Sequence, residues 1–169
     1  IFKSGQIVDN ELKGPAISGN DTTRLSAVFI YGDYATLDMS GGVIADNRVE
    51  THPASGSGSR GGALTVHYAN ANISGGTIRN NVGGIGSAIY YEAGQNRGRL
   101  VMSGGQILEN KTNAPNQTAA SAVYSPVYIR GWHFELKGGG ADIKDNIYLY
   151  STSNLITLSG VIYQKQQLY

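Results

Sequence analysis

His67 and Glu92 hold matching places in two copies of a repeated segment, GALTVH (62–67) and SAIYYE (87–92). A histidine beside a carboxylate is the elementary pairing of a base with an orienting acid. Asp38, in ATLDMS (35–40), is a further carboxylate that strand alternation turns outward beside Asn72. A second chemistry is binding. Phe29, Thr65, Tyr90 and Tyr124 form one outward column of the repeat, and Tyr31, His67, Glu92 and Pro126 form the next. Rings stepped along a flat face can stack on sugar rings, with the hydroxyls as polar handles.

Each candidate has a plainer reading. A lone His–Glu contact is usually a surface hydrogen bond. The aromatics can pack under the long insertions at 11–26, 48–61 and 111–120. Asp9, Asp46, Glu109 and Asp145 form an acidic column, but Asn80 interrupts it and stacked like charges repel, so a solvated turn is the simpler account. A glycosidase needs two carboxylates about 5–5.5 or 6.5–9.5 Å apart. A lyase needs an acidic cluster with a basic residue on one face, whereas Arg79 and Arg99 fall on different strands. The reading leans away from an enzyme. His52, His67 and His133 lack metal-ligand spacing. The acidic column could attract calcium, but Arg48, Arg79, Lys111 and Lys144 adjoin it. GGIGSA (83–88) leads into a strand rather than a phosphate-cradling helix. No metal or cofactor is expected.

The elements that position these residues repeat. SGGVIADN (40–47), SGGTIRNN (74–81) and SGGQILEN (103–110) are close copies, with weaker ones in KSGQIVDN (3–10) and GGADIKDN (139–146). Their asparagines lie 37, 34, 29 and 36 residues apart, which suits coils with variable loops rather than a helical array. Between them, SAVFIY (26–31), GALTVH, SAIYYE and SAVYSP (121–126) align, as do ATLDMS, ANANIS (69–74), GRLVMS (98–103) and FELKGG (134–139).

Period-two alternation then gives apolar columns. They are Val28/Leu64/Ile89/Val123, Ile30/Val66/Tyr91, Leu37/Ala71/Leu100/Leu136, Met39/Ile73/Met102 and Ile7/Ile44/Ile78/Ile107/Ile143. A one-residue slip would turn each of them to solvent. The expected fold is an all-β, right-handed parallel β-helix of the pectin-lyase-like kind. It has about five to six coils of three short strands, and a length of roughly 25 Å. The glycines allow a bend and close backbone approach, and the asparagines close turns in left-handed conformation and stack as an amide ladder.

The 169 residues are 40% apolar and 15% charged, with net charge +1 and no cysteine. One domain, 1–169, is expected, with a core and with neither a basic nucleic-acid footprint nor a membrane span. Because the chain opens inside a repeat copy, the expectation is a fragment or C-terminal part of a larger protein. A further domain or partner chain would then cover the N-terminal edge, and the polar QKQQLY (164–169) would end the stack.

SGGxIxxN alternating with GGA[ILV] resembles the repeats of bacterial cell-surface right-handed parallel β-helix proteins. It is similar in spirit to the paired short motifs of chlamydial polymorphic membrane proteins. KDNIYLYSTSNLITLSG (144–160) resembles the closing segment of such arrays. The resemblance implies an extracellular or cell-surface setting and an adhesin-like or stalk role, with glycans or a host surface as partners. The alternative it leaves is part of a larger β-helix glycoside hydrolase or polysaccharide lyase.

Overall fold

A computed structural model describes residues 1–13, 25–50, 60–113, 125–151 and 153–160 of the chain. Along it the strands come in threes. The first set is β1 (Gln6–Val8), β2 (Glu11–Lys13) and β3 (Val28–Tyr31), and the second is β4 (Thr36–Ala45), β5 (Arg48–Glu50) and β6 (Leu64–His67). The next are β7 (Asn70–Arg79), β8 (Val82–Gly83) and β9 (Ile89–Glu92), then β10 (Arg99–Leu108), β11 (Lys111–Thr112) and β12 (Val127–Ile129). The last are β13 (Phe134–Lys137), β14 (Asp142–Ile143), β15 (Ile147–Leu149) and β16 (Ile156–Ser159).

Every third strand pairs with its counterpart in the next coil, and all of these pairings are parallel. Three sheets result: β1-β4-β7-β10-β13-β16, with β14 also on β10; β2-β5-β8-β11; and β3-β6-β9-β12-β15. Parallel neighbours need a crossover, and here the remainder of each coil supplies it. This is the parallel β-helix, and no α-helix occurs among the described residues.

The isoleucine column is realised in full. Ile7, Ile44, Ile78, Ile107 and Ile143 stand in consecutive register. Its three central members are essentially solvent-free. A fully buried side chain of this size contributes roughly 1.5–3 kcal/mol by transfer from water. Tyr91, also interior, is accommodated by Gly131, where a Cβ would lie 2.1 Å from the tyrosine ring.

The two repeat glycines have separate jobs. The first lies against a carbonyl of the preceding coil: a Cβ on Gly41, Gly75 or Gly104 would stand 2.2, 2.5 or 2.3 Å from the oxygen of Lys3, Ser40 or Ser74. The second takes a left-handed backbone, with φ of 81° at Gly42, 90° at Gly76 and 85° at Gly105. The bend does not break the strand. β4, β7 and β10 run ten residues through it with register shifts, so the expected second and third strands form one sheet. The third sheet comes instead from the short strands after each asparagine.

The amide ladder is present. Asn10 Nδ2 donates to Asn47 Oδ1 at 2.8 Å, Asn47 to Asn81 at 2.9 Å and Asn81 to Asn110 at 2.9 Å. Each amide except the first also reaches back to an isoleucine carbonyl: Asn47 to Ile7, Asn81 to Ile44 and Asn110 to Ile78. Two details differ from expectation. The residues in left-handed conformation are those just before the asparagines, namely Asp9, Asp46, Asn80 and Glu109. The ladder ends on Asp145, not Asn146: Asp145 Oδ2 accepts from Asn110 Nδ2 at 2.7 Å and from its backbone amide at 3.1 Å.

The later coils are also offset from the sequence alignment. Phe134 pairs with Leu100 and Leu136 with Met102, two places from the expected match. VYI (127–129), not SAVYSP, pairs with Ile89–Tyr91. Val123 and Tyr124 lie outside the described residues, as do His52, QKQQLY and most of the three long insertions.

Candidate functional site

Alternation on β9 sends Ile89 and Tyr91 inward and Tyr90 and Glu92 outward, yet none of the four is open to water. Tyr90 is 0% exposed. Its ring stacks on Tyr128 at 5.4 Å and 7°, and Tyr128 stacks on Tyr148 at 5.3 Å and 22°. The column expected to hold Phe29, Tyr90 and Tyr124 therefore runs Phe29, Thr65, Tyr90, Tyr128, Tyr148. In its middle it is a packed satellite core with Ile85 rather than an open platform. Burial first, then Glu92, pushes the Tyr90 phenol up to about 12.

The neighbouring column starts with Tyr31, His67 and Glu92, as the sequence places them. It continues through Arg130 rather than Pro126, and then Tyr150, each held by a backbone bond to the previous coil. Glu92 is its electrostatic centre. Arg130 Nη1 lies 3.1 Å from Oε1; Arg60 Nη1 lies 3.7 Å and His67 Nε2 3.9 Å from Oε2. The Tyr90 hydroxyl donates to Oε2 at 3.0 Å. Burial opposes the charge on Arg130, but Glu92 and Tyr90 outweigh it and raise its pKa. Both carboxylate oxygens of Glu92 are thus held by donors. Arg60, Arg130 and Glu92 form an ion cluster with the Tyr90 hydroxyl, and His67 stands at its edge beside the carboxylate. Asp38 sits apart on the long sheet, accepting from Asn72 Nδ2 at 2.8 Å.

Beside the cluster lies an open cleft of about 310 Å³. Tyr68, Trp132 and Tyr150 supply its aromatic lining, Glu92 and Arg130 its charge, and Ser153 a hydroxyl. Trp132 is 41% and Tyr150 52% exposed. The Arg130 guanidinium lies 4.8 Å from the Tyr150 ring centroid, within cation–π range. Tyr68 has φ 51°, the only described non-glycine residue outside the ladder turns with a left-handed backbone. A bulky residue held there stores of order 1–3 kcal/mol, and such strain gathers at ligand-contacting positions. Its amide donates to the Glu92 carbonyl at 2.8 Å, which holds the turn.

Phe29 and Tyr31 remain at the surface, stacked at 6.3 Å and 6°. Tyr31 leads through His67, at 5.2 Å between ring centroids, to Tyr68 at 4.4 Å from His67. Of the rings that the sequence suggested for a binding face, Phe29 and Tyr31 are thus exposed, Tyr90 is packed away and Tyr124 lies outside the described residues. Tyr68, Trp132, Tyr150, Arg60 and Arg130 were not singled out by sequence. The one available signal was Trp132, the sole tryptophan, set in a glycine-containing turn. No group of three or more His, Cys, Asp or Glu suited to a metal occurs among the described residues.

Comparison with protein-family models, with curated proteins and with solved structures returns no match.

Proposed function

We propose that this chain is a binding and display module of a bacterial surface or secreted protein, and that the cleft between Trp132 and Tyr150 takes a saccharide ring. The observation that carries the reading is the pairing of partly exposed aromatic rings with a fixed Arg130–Glu92 pair in one cleft. Sugars present apolar C–H faces to rings and hydroxyls to charged groups, and a preorganised site loses little entropy on binding. Among the described residues Glu92 is the single carboxylate lining the cleft, and both its oxygens are engaged. The alternative of a larger glycosidase would require a second acid at hydrolytic separation, and that of a lyase an acidic cluster with a basic residue on one face.

The test is a glycan array followed by titration calorimetry with Trp132→Ala and Tyr150→Ala. Each variant should weaken binding about tenfold or more, the usual scale of a lost aromatic anchor. Melting temperature should move by only a few degrees. Tyr90→Ala is unsuitable as a probe, because emptying so buried a site costs about 3–5 kcal/mol of fold stability. A blank array, or binding indifferent to both rings, rejects the proposal.

A further inference from the structure

Trp132 and His133 are consecutive, yet they line different clefts. The turn at 93–98 divides them: Ala93 and Gly94 face the first, while Asn96, Arg97 and, at the start of β10, Arg99 face a second of about 540 Å³. The second cleft has another chemistry. Asn70 and Arg99 are register partners on the long sheet, and His133 follows one coil on, directly before Phe134, the partner of Leu100. Successive coils thus set an amide, a guanidinium and an imidazole in one outward row about 4.8 Å apart.

The charges do not cancel. Among the described residues Asp33 is the only acid lining the cleft, and its Oδ2 lies 3.5 Å from Arg97 Nη1. Both partners are well exposed, so the pair is weak and readily exchanged. Arg99 is exposed and has no carboxylate partner among the described residues. His133 Nε2 lies 2.8 Å from the Gln95 carbonyl. A carbonyl only accepts, so Nε2 carries the hydrogen and Nδ1 is left as the second polar atom. Tyr34, fully exposed, adds a ring with both faces free. A guanidinium seeking an anion beside an open aromatic ring matches a sugar that carries a negative group.

We infer that this second cleft binds the anionic unit, carboxylate- or sulfate-bearing, of the same glycan whose neighbouring ring occupies the first cleft. The inference rests on the saccharide reading above. The test uses oligogalactose, oligogalacturonate and sulfated oligogalactose of equal length, titrated into the whole chain and into Arg99→Gln and Trp132→Ala. Either or both anionic forms should bind about tenfold tighter than the neutral one at low salt, the scale of one charge-assisted contact. Arg99→Gln should erase that preference by bringing the anionic forms down to the affinity of the neutral one, Trp132→Ala should weaken every form bound, and added salt should narrow the preference. Equal affinity for the three forms overturns the inference while leaving the first cleft as a saccharide site, as does a preference that survives Arg99→Gln. Failure of all three to bind overturns both.

Discussion

Replacing Asn81 by alanine tests the ladder at its most connected rung. The two N–H hydrogens of the Asn81 side chain serve Ile44 O, Arg79 O and Asn110 Oδ1, one of them shared, and its Oδ1 accepts from the Asn47 backbone amide and Nδ2, which fills all four of its hydrogen-bonding positions. The residue is completely buried, so water cannot readily take its place. A net 1 kcal/mol or so per position makes the expected loss about 4 kcal/mol. For a chain of this size that corresponds to a fall in melting temperature of roughly 8–16 °C. Asn10→Ala is the internal control. Among the described residues its exposed amide donates only to Asn47 Oδ1 and Val8 O, and its loss should cost about 1 kcal/mol. Urea unfolding of both variants, followed by circular dichroism, gives the comparison as a shift in midpoint at constant slope. Equal shifts for the two would refute the idea that the buried amides hold the coils together.

Asp145 should be better as an asparagine. Burial lifts its carboxyl above the ordinary value even though Asn110 donates to it twice. With the folded pKa raised, the native state keeps a proton that the unfolded chain has released. Stability is therefore lost as pH rises from the unfolded pKa through the folded one. Asp145→Asn should accordingly stabilise the protein near neutral pH, and the gain should shrink toward nothing at about pH 3. Denaturant midpoints measured across that range would show a pH-independent difference if the reasoning is wrong. The two glycines of one repeat should also be separable by calorimetry. Gly105→Ala meets mainly backbone strain of about 1–2 kcal/mol. Gly104→Ala drives a methyl into Ser74 O and should be the worse of the two, and the opposite ranking would overturn the division of labour between them.

The parts of the fold legible in the sequence were those where one residue type is demanded at every coil. Isoleucine before the turn, asparagine at it and the glycine pair each answer a constraint that the stacking renews, so their columns survive variable loops. The strands β2, β5, β8 and β11 were missed because two or three residues cannot display a period. The shift at β12 has another cause. SAVY at 121–124 mimics SAIY at 87–90 in composition, but it is VYI at 127–129 that meets Ile89–Tyr91. That offset hid Tyr128 behind Tyr124 and Arg130 behind Pro126. The ion cluster was out of reach for a related reason. Arg60, Glu92 and Arg130 are about thirty or more residues apart, and only the correct coil register brings them to one carboxylate.

The parallel register also bears on how such a chain is inherited. Lys111 stands directly opposite Val82, just as Asn110 stands opposite Asn81. Removing residues 82–110 would therefore deliver Lys111 to the place Val82 had occupied, with the same carbonyls and amides waiting for it. A gene encoding like segments can lengthen or shorten by recombination between them, and each product inherits a stack that already fits. What such an exchange changes is the set of side chains brought side by side on the outer face. New clefts can thus be tried by shuffling coils, while the interior remains the same column of isoleucines.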